Sequence, residues 1–260
     1  MDDGPPGFER LHQPRLAELV ADALRRRILS GAHPDGELLT RYEAITEEFQ
    51  VSLPSAREAL RMLEAEGLLT MRRGKSGGAV VQAPRSENVA YGIGLFLEYK
   101  RTDVSELALA LRMLEPVCAS ACAERPDRHT TVVPRLRAVL RESESVIDDA
   151  SHFAHLARDF HERIVEGCPN EVTRLIVGAL ESLWSAQVRS APSDGQELGT
   201  FPDRETRECS LQDHARLLRR IEDGDVAGAA QVAREHFSRP ERPVLLQHRM
   251  AVRAEPLRPC

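Results

Sequence analysis

Residues 51–82 read VSLPSAREALRMLEAEGLLTMRRGKSGGAVVQ, and this stretch decides the fold of the first part of the chain. Its first half is a helical pattern that Ser52 can cap, Pro54 can open and Gly67 can end. Its second half has two short apolar runs around a glycine-rich segment at residues 74–78, which predicts a β-hairpin. The predicted elements are a helix over 54–66 and strands over 68–73 and 79–82.

Two further helical patterns precede this stretch. Apolar residues recur at helical spacing from Leu16 to Ile28, and Gly31 follows as a stop. A second pattern covers Leu39 to Phe49. Three helices followed by a β-hairpin within roughly 70 residues predict a winged helix-turn-helix, a fold that places one helix in the major groove of DNA.

After a short linker at residues 84–87, the sequence is helical in pattern to about residue 239, with its longest loop expected at 191–203. The predicted fold class is therefore mainly α, an N-terminal winged helix-turn-helix followed by an all-α helical bundle. The predicted helices of this bundle are 88–99, 103–124, 128–148, 151–167, 170–190, 205–222 and 225–239. The predicted domains are a disordered tail at 1–13, the winged helix-turn-helix at 14–84, a helical domain at 85–240 and a C-terminal tail at 241–260.

The composition excludes some classes and leaves DNA binding open. Hydrophobic residues make up 42% and charged residues 29% of the 260 residues, which excludes collagen-like and wholly disordered chains. The formal net charge of −6 is unfavourable for contact with nucleic acid, but residues 14–84 carry ten basic and ten acidic side chains. A local cationic face is therefore compatible with the acidic total.

The cysteines favour a reduced, cytoplasmic location. Five are present without CxxC spacing, and no secretory signal peptide is expected. Cys118 and Cys122 lie one helical turn apart among small residues, which favours buried packing over a redox pair. No apolar run approaches the roughly 18 residues of a membrane helix, so no membrane partner is expected.

The N-terminal motifs resemble a known family. RRRILSGAHPDGELL at 25–39, VSLPSAREALRMLEAEGLL at 51–69 and RRGKSGGAVV at 72–81 together resemble the DNA-binding domain of GntR-family transcription regulators. The resemblance implies a double-stranded DNA operator as partner. The side chains suited to bases and phosphates, near the start of the recognition helix and on the wing, are Ser52, Ser55, Arg57, Arg61, Arg72, Arg73 and Lys75. Pairing of Arg57 with Glu58 or Glu64 on an ordinary amphipathic helix is the alternative.

Two positions depart from the family pattern. Leu53 stands where the family commonly has Arg, and Glu43 stands where its FadR-type members often have a basic residue. DNA binding is therefore expected to rest on Arg57, Arg73 and Lys75, and to be weaker or directed to an unusual operator.

Three histidines of the helical half lie on faces that should be buried, namely His161, His214 and His236. Each one alone would usually be a hydrogen-bonded core histidine. Three inward-facing imidazoles in one domain instead suit Zn, Ni or a similar divalent metal with an open coordination position.

The helical half resembles the FCD effector domain of the FadR-type branch of the GntR family. The matching stretches are ELALALRMLEPVCASACAE at 106–124, DFHERIVEGCPN at 159–170 and LQDHARLLRRIEDGDVAGAAQVAREHF at 211–237. The resemblance implies a divalent metal held by three His and by an Asp one turn before the first His. Ala157 occupies that Asp position, and Asp159 points to another face, so a metal is expected to be weakly held.

The same resemblance implies a small anionic effector, for which a small carboxylate is expected. Arg112 matches a family arginine that faces the effector pocket, and a guanidinium suits a carboxylate. An i,i+3 pair between Arg112 and Glu115 is an equally open interpretation. Arg158 and Asn170 complete the expected effector-binding residues.

These features predict a ligand-responsive DNA-binding transcription regulator that is not an enzyme. A homodimer is expected, because a winged helix normally reads two half-sites, and the helical domain 85–240 is expected to dimerise and to bind the effector. Two alternatives stay open. One is a metal-dependent enzyme using the three-histidine pocket, for which no carboxylate base has a suitable spacing; the other is a regulator impaired in DNA binding that acts through protein contacts.

Overall fold

The computed structural model describes residues 15–72, 74, 78–190, 203–238 and 251–254. The chain divides into two compact units that meet between Pro84 and Arg85, and each unit is described by itself. Of the helices in the described residues, none is long and apolar enough to cross a membrane.

The first unit is built from short helices and a small antiparallel sheet. Its elements are α1 (Leu16–Leu29), β1 (Leu38–Thr40), α2 (Tyr42–Phe49), α3 (Leu53–Ala65), β2 (Leu69–Arg72) and β3 (Gly78–Val81). The strand order is β1-β3-β2, and β3 is antiparallel to both neighbours. This arrangement confirms the winged helix-turn-helix predicted for this part of the chain.

Helix α3 begins at Leu53, one residue before the predicted start, and is capped as the sequence predicts. Ser52 is its N-cap, and the Ser52 hydroxyl accepts a hydrogen bond from the Ser55 amide at 3.3 Å. Pro54 lies in the first turn, where a missing N–H loses no helical hydrogen bond. One face of the helix is completely buried, through Ala56, Ala59, Leu60 and Leu63. The packing of this face leaves the other side of α3 in contact with solvent.

The helix that the sequence predicts from Leu39 begins too early, because residues 38–40 form strand β1. The helix starts only at Tyr42, because the preceding residues pair with β3. Gly78 of β3 permits this close approach, since a Cβ at that position would lie 2.8 Å from the Thr40 carbonyl oxygen. The strand therefore depends on a partner far along the chain, which a local pattern does not contain.

The second unit confirms the predicted helical bundle. Its helices are α4 (Ser86–Lys100), α5 (Val104–Glu124), α6 (Arg128–Thr131), α7 (Val133–Ser145), α8 (Ala150–Gly167), α9 (Glu171–Ser190), α10 (Arg204–Asp223) and α11 (Val226–Ser238). Helix α5 is central and packs against α8, α9, α10 and α11, while α4 packs against α9. Cys118 and Cys122 of α5 are fully buried in the core, which confirms the packing interpretation of these residues.

The single helix predicted over residues 128–148 is wrong. Helix α6 ends at Thr131 and α7 begins at Val133, with Val132 between them. Pro134 explains the break, because it has no amide hydrogen to donate to the carbonyl four residues earlier and its ring would clash there.

Candidate metal centre and nucleic-acid interface

Three helices of the second unit each direct one histidine into the interior. His161 lies on α8, His214 on α10 and His236 on α11. His161 and His214 are buried and His236 is half-buried. Phe160 and Ile164, on either side of His161, are fully buried, so the helical period turns this imidazole toward the core.

The imidazole nitrogens of these histidines converge. His214 Nε2 lies 3.2 Å from His161 Nε2, and ring nitrogens of all three histidines lie within 4.8 Å of one another. The three ring centroids are separated by 4.9 to 5.2 Å. Within the described part of the chain, this is the one group of three or more His, Cys, Asp or Glu side chains that is arranged to hold a metal.

Two buried carboxylates orient the rings from outside the cluster. Glu115 Oε1 on α5 is hydrogen-bonded to His161 Nδ1, and Asp213 Oδ2 lies 3.3 Å from His236 Nδ1. Glu115 is 1% exposed and Asp213 is 2% exposed. A carboxylate that accepts a hydrogen bond from Nδ1 fixes the tautomer in which Nε2 is available to a metal.

Phe160 fixes the orientation of the third ring. Its phenyl group stacks on the imidazole of His214, with centroids 4.2 Å apart and planes inclined by 9°. Because Phe160 is completely buried, the His214 ring is held between packed neighbours in the core.

The geometry of the cluster could hold a metal ion. Metal–nitrogen bonds of about 2.0–2.1 Å place two imidazole nitrogens of one ion roughly 3.0–3.4 Å apart, and the separation of His161 Nε2 from His214 Nε2 is 3.2 Å. A hydrogen bond between these two rings has the same length, but it accounts neither for the third imidazole nor for the two supporting carboxylates. Three nitrogen ligands leave a further coordination position open.

The fourth protein ligand implied by the family resemblance is missing. Ala157 lies one turn before His161 on α8 and is half-buried. Asp159 is no substitute, because its carboxylate pairs with Arg163 at 3.0 Å on the same helix. The three histidines are therefore the ligands that the described residues offer at this cluster.

The residues predicted to bind an effector lie in different surroundings. Arg112 is exposed on α5, one turn before Glu115, and Arg158 is half-buried on α8, three residues before His161. Asn170 caps α9, because its side-chain oxygen accepts a hydrogen bond from the Thr173 amide at 2.9 Å. This contact gives Asn170 a structural role, and effector binding by all three residues stays a prediction.

The exposed side of α3 carries two of the arginines predicted to contact DNA. Arg57 and Arg61 are both exposed and lie one turn apart. The Arg57 guanidinium lies over the ring of Tyr42, 5.7 Å from its centroid. No carboxylate of the described residues forms an ion pair with Arg57, and Glu64 instead accepts a hydrogen bond from the Met71 amide at 3.0 Å. The Arg57 charge is thus held at the surface by an aromatic ring.

The wing is described in part. Arg72 is exposed at the end of β2, where it pairs with Gly78 of β3. Arg73 and Lys75 lie outside the described residues. The two departures from the family pattern are both at the surface: Leu53, the first residue of α3, is 40% exposed, and Glu43 is exposed in the first turn of α2.

Sequence reasoning missed the supporting contacts of Glu115, Asp213 and Tyr42, and it considered Glu115 only as a partner of Arg112. Glu115 had a detectable signal, because it falls at helical spacing between the core residues Leu111 and Cys118. A carboxylate at such a position is almost never fully buried unless it has a partner. The contact between Tyr42 and Arg57 depends on how α2 packs against α3 and had no comparable signal in the sequence.

This organisation defines a class of protein. A winged helix-turn-helix with exposed arginines on its recognition helix, joined in one chain to a helical unit with a convergent buried histidine cluster, is that of a ligand-responsive DNA-binding transcription regulator.

Comparison with known families supports the same class. The family described as "FCD domain" matches residues 106–239, and the family described as "Bacterial regulatory proteins, gntR family" matches residues 16–78. The first match alone spans more than half of the chain. The protein therefore belongs to the gntR family of bacterial regulatory proteins and has an FCD domain in its second half, which confirms the resemblance seen in the sequence.

Individual relatives match this chain over most of their length. The HTH-type transcriptional regulator LutR of Bacillus subtilis is 25% identical over 214 residues, which cover 82% of this chain and 94% of that protein. The Exu regulon transcriptional regulator of Escherichia coli K12 is 24% identical over 223 residues, covering 86% and 82%. A solved structure of GntR from Streptococcus agalactiae superposes with a TM-score of 0.63 at 20% identity, covering 85% and 96%, and shows the common fold.

Proposed function

We propose that this regulator senses a small carboxylate through a metal held by His161, His214 and His236. The observation that carries the proposal is the convergence of three imidazoles, two of them oriented by buried carboxylates. A bound divalent metal would supply a Lewis-acidic centre that attracts an anionic ligand. Because none of the three proposed protein ligands is a carboxylate, a carboxylate from the effector would take the ligand position that the family resemblance gives to Asp.

Arg112 and Arg158 are the cations proposed to assist this effector. A guanidinium can bind a carboxylate through two parallel hydrogen bonds. Arg158 lies on α8, three residues before His161, and Arg112 lies on α5, one turn before the Glu115 that is hydrogen-bonded to His161. Asn170 is the weaker candidate, since its side-chain oxygen already caps α9.

DNA binding is proposed to use the start of α3 and the wing. Support comes from the exposure of Arg57, Arg61 and Arg72, and from the Ser52 and Ser55 hydroxyls at the helix N-terminus. Open amides at a helix N-terminus favour phosphate oxygens. Arg73 and Lys75 complete the proposed surface from the sequence alone.

We propose a homodimer formed through the helical unit. Helix α5 presents an exposed apolar stripe, which consists of Leu109, Met113 and Val117 at four-residue spacing, with exposed fractions of 51%, 68% and 52%. Helix α4 also exposes Leu95, Phe96 and Tyr99, and α9 exposes Val172, Leu175 and Ile176. Large apolar side chains concentrated on one helix face are typical of a protein interface. A second copy of the chain is the partner that a regulator of two half-sites requires.

We propose that the protein is a regulator without enzymatic activity and that it acts in the cytoplasm, where it can bind a bacterial operator. Family membership favours this function over the metal-dependent enzyme. In addition, the carboxylates nearest the cluster, Glu115 and Asp213, are hydrogen-bonded to imidazoles and hold the rings. The geometry thus favours a binding site over a site for proton transfer to a substrate.

A gel-shift titration against genomic DNA fragments at fixed salt tests the proposal. The titration is repeated on protein treated with chelator, on the same protein resupplied with Zn or Ni, and in the presence of small carboxylic acids or their uncharged amides. The expected result is specific binding to one fragment, with an affinity that the acid changes only when metal is present and that the amide does not change. Absence of specific DNA binding would refute the regulator mechanism, whereas an acid effect that survives chelation would refute only the role of the metal.

A further inference from the structure

The described residues 251–254 pack against the helical unit as a short segment with one isolated β-bridge. Ala251 forms an antiparallel bridge with Asp103, and the Val252 amide donates a hydrogen bond to the Thr102 carbonyl oxygen at 2.9 Å. Val252 is completely buried, whereas its neighbours Ala251 and Arg253 are exposed. This alternation is that of a peptide bound with one side chain in a pocket.

A buried glutamine recognises the backbone of this segment. Gln187 of α9 is 4% exposed, and its amide group pairs with both backbone groups of Arg253. The Arg253 amide donates to Gln187 Oε1 at 2.9 Å, and Gln187 Nε2 donates to the Arg253 carbonyl oxygen at 2.8 Å. These two hydrogen bonds bind an extended backbone and do not depend on the side chain at this position. The Arg253 side chain is exposed.

Helix α4 also contacts this segment. The Ala254 amide donates to the Glu98 carboxylate at 2.8 Å. Gly94, one turn earlier on α4, leaves room for the segment, because a Cβ on Gly94 would lie 3.2 Å from the Ala254 Cα and 3.3 Å from its Cβ. A Cβ on Gly94 would also lie 3.3 Å from Leu183 Cδ1 of α9, so the close approach of both Ala254 and Leu183 explains a glycine inside this helix.

We propose that α4, α9 and the turn at Thr102 form a recognition site for an extended peptide, and that the chain's own residues 251–254 are its ligand. The site selects a buried apolar side chain at the position of Val252 and a small side chain at the position of Ala254. It lies outside the histidine cluster and does not depend on the metal or the effector. Because the bound segment contacts both helices, it stabilises the packing of the second half of α4 against α9.

Hydrogen–deuterium exchange at residue resolution on the full-length chain tests the docking. In the native protein, the amides of Val252, Arg253 and Ala254 should exchange roughly tenfold or more slowly than in a synthetic peptide of the same sequence. Gln187→Ala should remove most of this protection, by roughly tenfold at Arg253. Exchange at the rate of the peptide in the native chain, or unchanged protection in the Gln187→Ala variant, would overturn the proposal.

A matched pair of glycine variants tests the shape of the site. Gly94→Ala and Gly92→Ala both favour α4 as a helix, but a Cβ on Gly92 meets no atom within 4 Å. Gly94→Ala should therefore accelerate exchange at Ala254 several-fold, while Gly92→Ala should leave it as in the native protein. Equal exchange in the two variants would show that α4 is not shaped for this segment.

Binding in trans separates a recognition site from simple chain packing. A chain ending at Met250 is titrated into a fluorescein-labelled peptide of residues 249–257, with circular dichroism used to verify that the shortened chain is folded. We expect saturable binding to the shortened chain, little binding to the full-length protein whose site is filled, and at least roughly tenfold weaker binding of a peptide with Val252→Asp. A folded shortened chain that does not bind the peptide contradicts the proposal. If this chain does not fold, the exchange experiments on the full-length protein decide.

Discussion

His161 Nε2 and His214 Nε2 lie 3.2 Å apart, although the two histidines are separated by 53 positions in the sequence and lie on different helices. Their contact exists only while α8 and α10 are packed together. A ligand that binds both nitrogens would bind the folded chain in preference to the unfolded one, and its binding free energy would add to the stability of the helical unit.

Restoring the carboxylate at position 157 should strengthen metal binding. Asp at this position would lie one turn before His161 and would add an anionic ligand to the three histidines. Protein with Ala157→Asp, purified without chelator, should contain more Zn or Ni per chain than the unmodified protein. Elemental analysis measures this content, and Ser151→Asp, which adds the same charge in the exposed first turn of α8, is the control. If neither protein retains metal when Zn or Ni is supplied, the histidines do not form a metal site.

Removing the carboxylate behind His236 should weaken metal binding without removing a ligand. Asp213→Asn keeps the shape of the side chain but loses the charge that orients the imidazole, and such changes typically cost about 10- to 100-fold in metal affinity. Competition with a chromophoric chelator measures the affinity. Asp159→Asn is a matched control, because Asp159 pairs with Arg163 and not with a histidine. Equal affinities in the two variants would argue against a supporting role for Asp213.

Arg57→Ala should weaken operator binding by about 1–3 kcal/mol if Arg57 contacts a base edge. The loss should be larger for the specific fragment than for unrelated DNA. Fluorescence anisotropy at several salt concentrations separates this effect from a general loss of charge. Arg141→Ala removes the same charge from an exposed position of α7 and should leave the affinity unchanged. Identical losses on specific and unrelated DNA would assign Arg57 to phosphate contact.

Met113→Asp should dissociate the dimer. Met113 is the central and most exposed member of the apolar stripe on α5, and an interface that covers it would bury an unpaired charge. Light scattering should give the mass of one chain for this variant and of two chains for the native protein. Val226→Asp places the same charge on an exposed apolar position at the start of α11 and should remain dimeric. A dimeric Met113→Asp protein would locate the interface elsewhere.

Cys122 should resist alkylation in the folded protein. Burial and the neighbouring Cys168 raise the pKa of Cys122 to about 12, so at pH 8 the group is a protonated thiol and a poor nucleophile. Mass spectrometry after brief treatment with iodoacetamide should find Cys122 unmodified and the half-buried Cys209 modified. Unfolding in guanidinium chloride should make both reactive. Rapid labelling of Cys122 in the native chain would reveal frequent opening of the contact between α5 and α8.

The sequence predicted the parts of the fold that local chemistry determines. Ser52 and Pro54 define the start of α3 through capping, and the apolar spacing of α5 defines its buried face. The break at Val132 could also have been predicted from the local sequence, because Pro134 follows it, but the helical pattern of the flanking residues obscured it. Strand β1 could not have been predicted locally, since residues 38–40 become a strand only when Gly78 lies beside them.

The sequence predicted the three histidines of the candidate site, but it did not predict the carboxylates that contact their rings. The buried faces of three helices identified His161, His214 and His236, because helical spacing determines which side chains face inward. Which carboxylate meets which imidazole depends on the packing of α5 against α8 and of α10 against α11. Residues 251–254 are the extreme case, because their order comes from hydrogen bonds to groups more than 60 positions away and from a pocket for a single valine.

The burial of Val252 shows that the packed helical unit extends beyond the residues that match the FCD family. The FCD match ends at residue 239, yet a side chain beyond it is completely enclosed by the helical unit. A mutation that introduced a stop codon shortly after codon 239 would spare every position by which the family is recognised and would still remove part of the core. Residues 251–254 therefore contribute structure to the helical unit that a chain ending at the family boundary would lack.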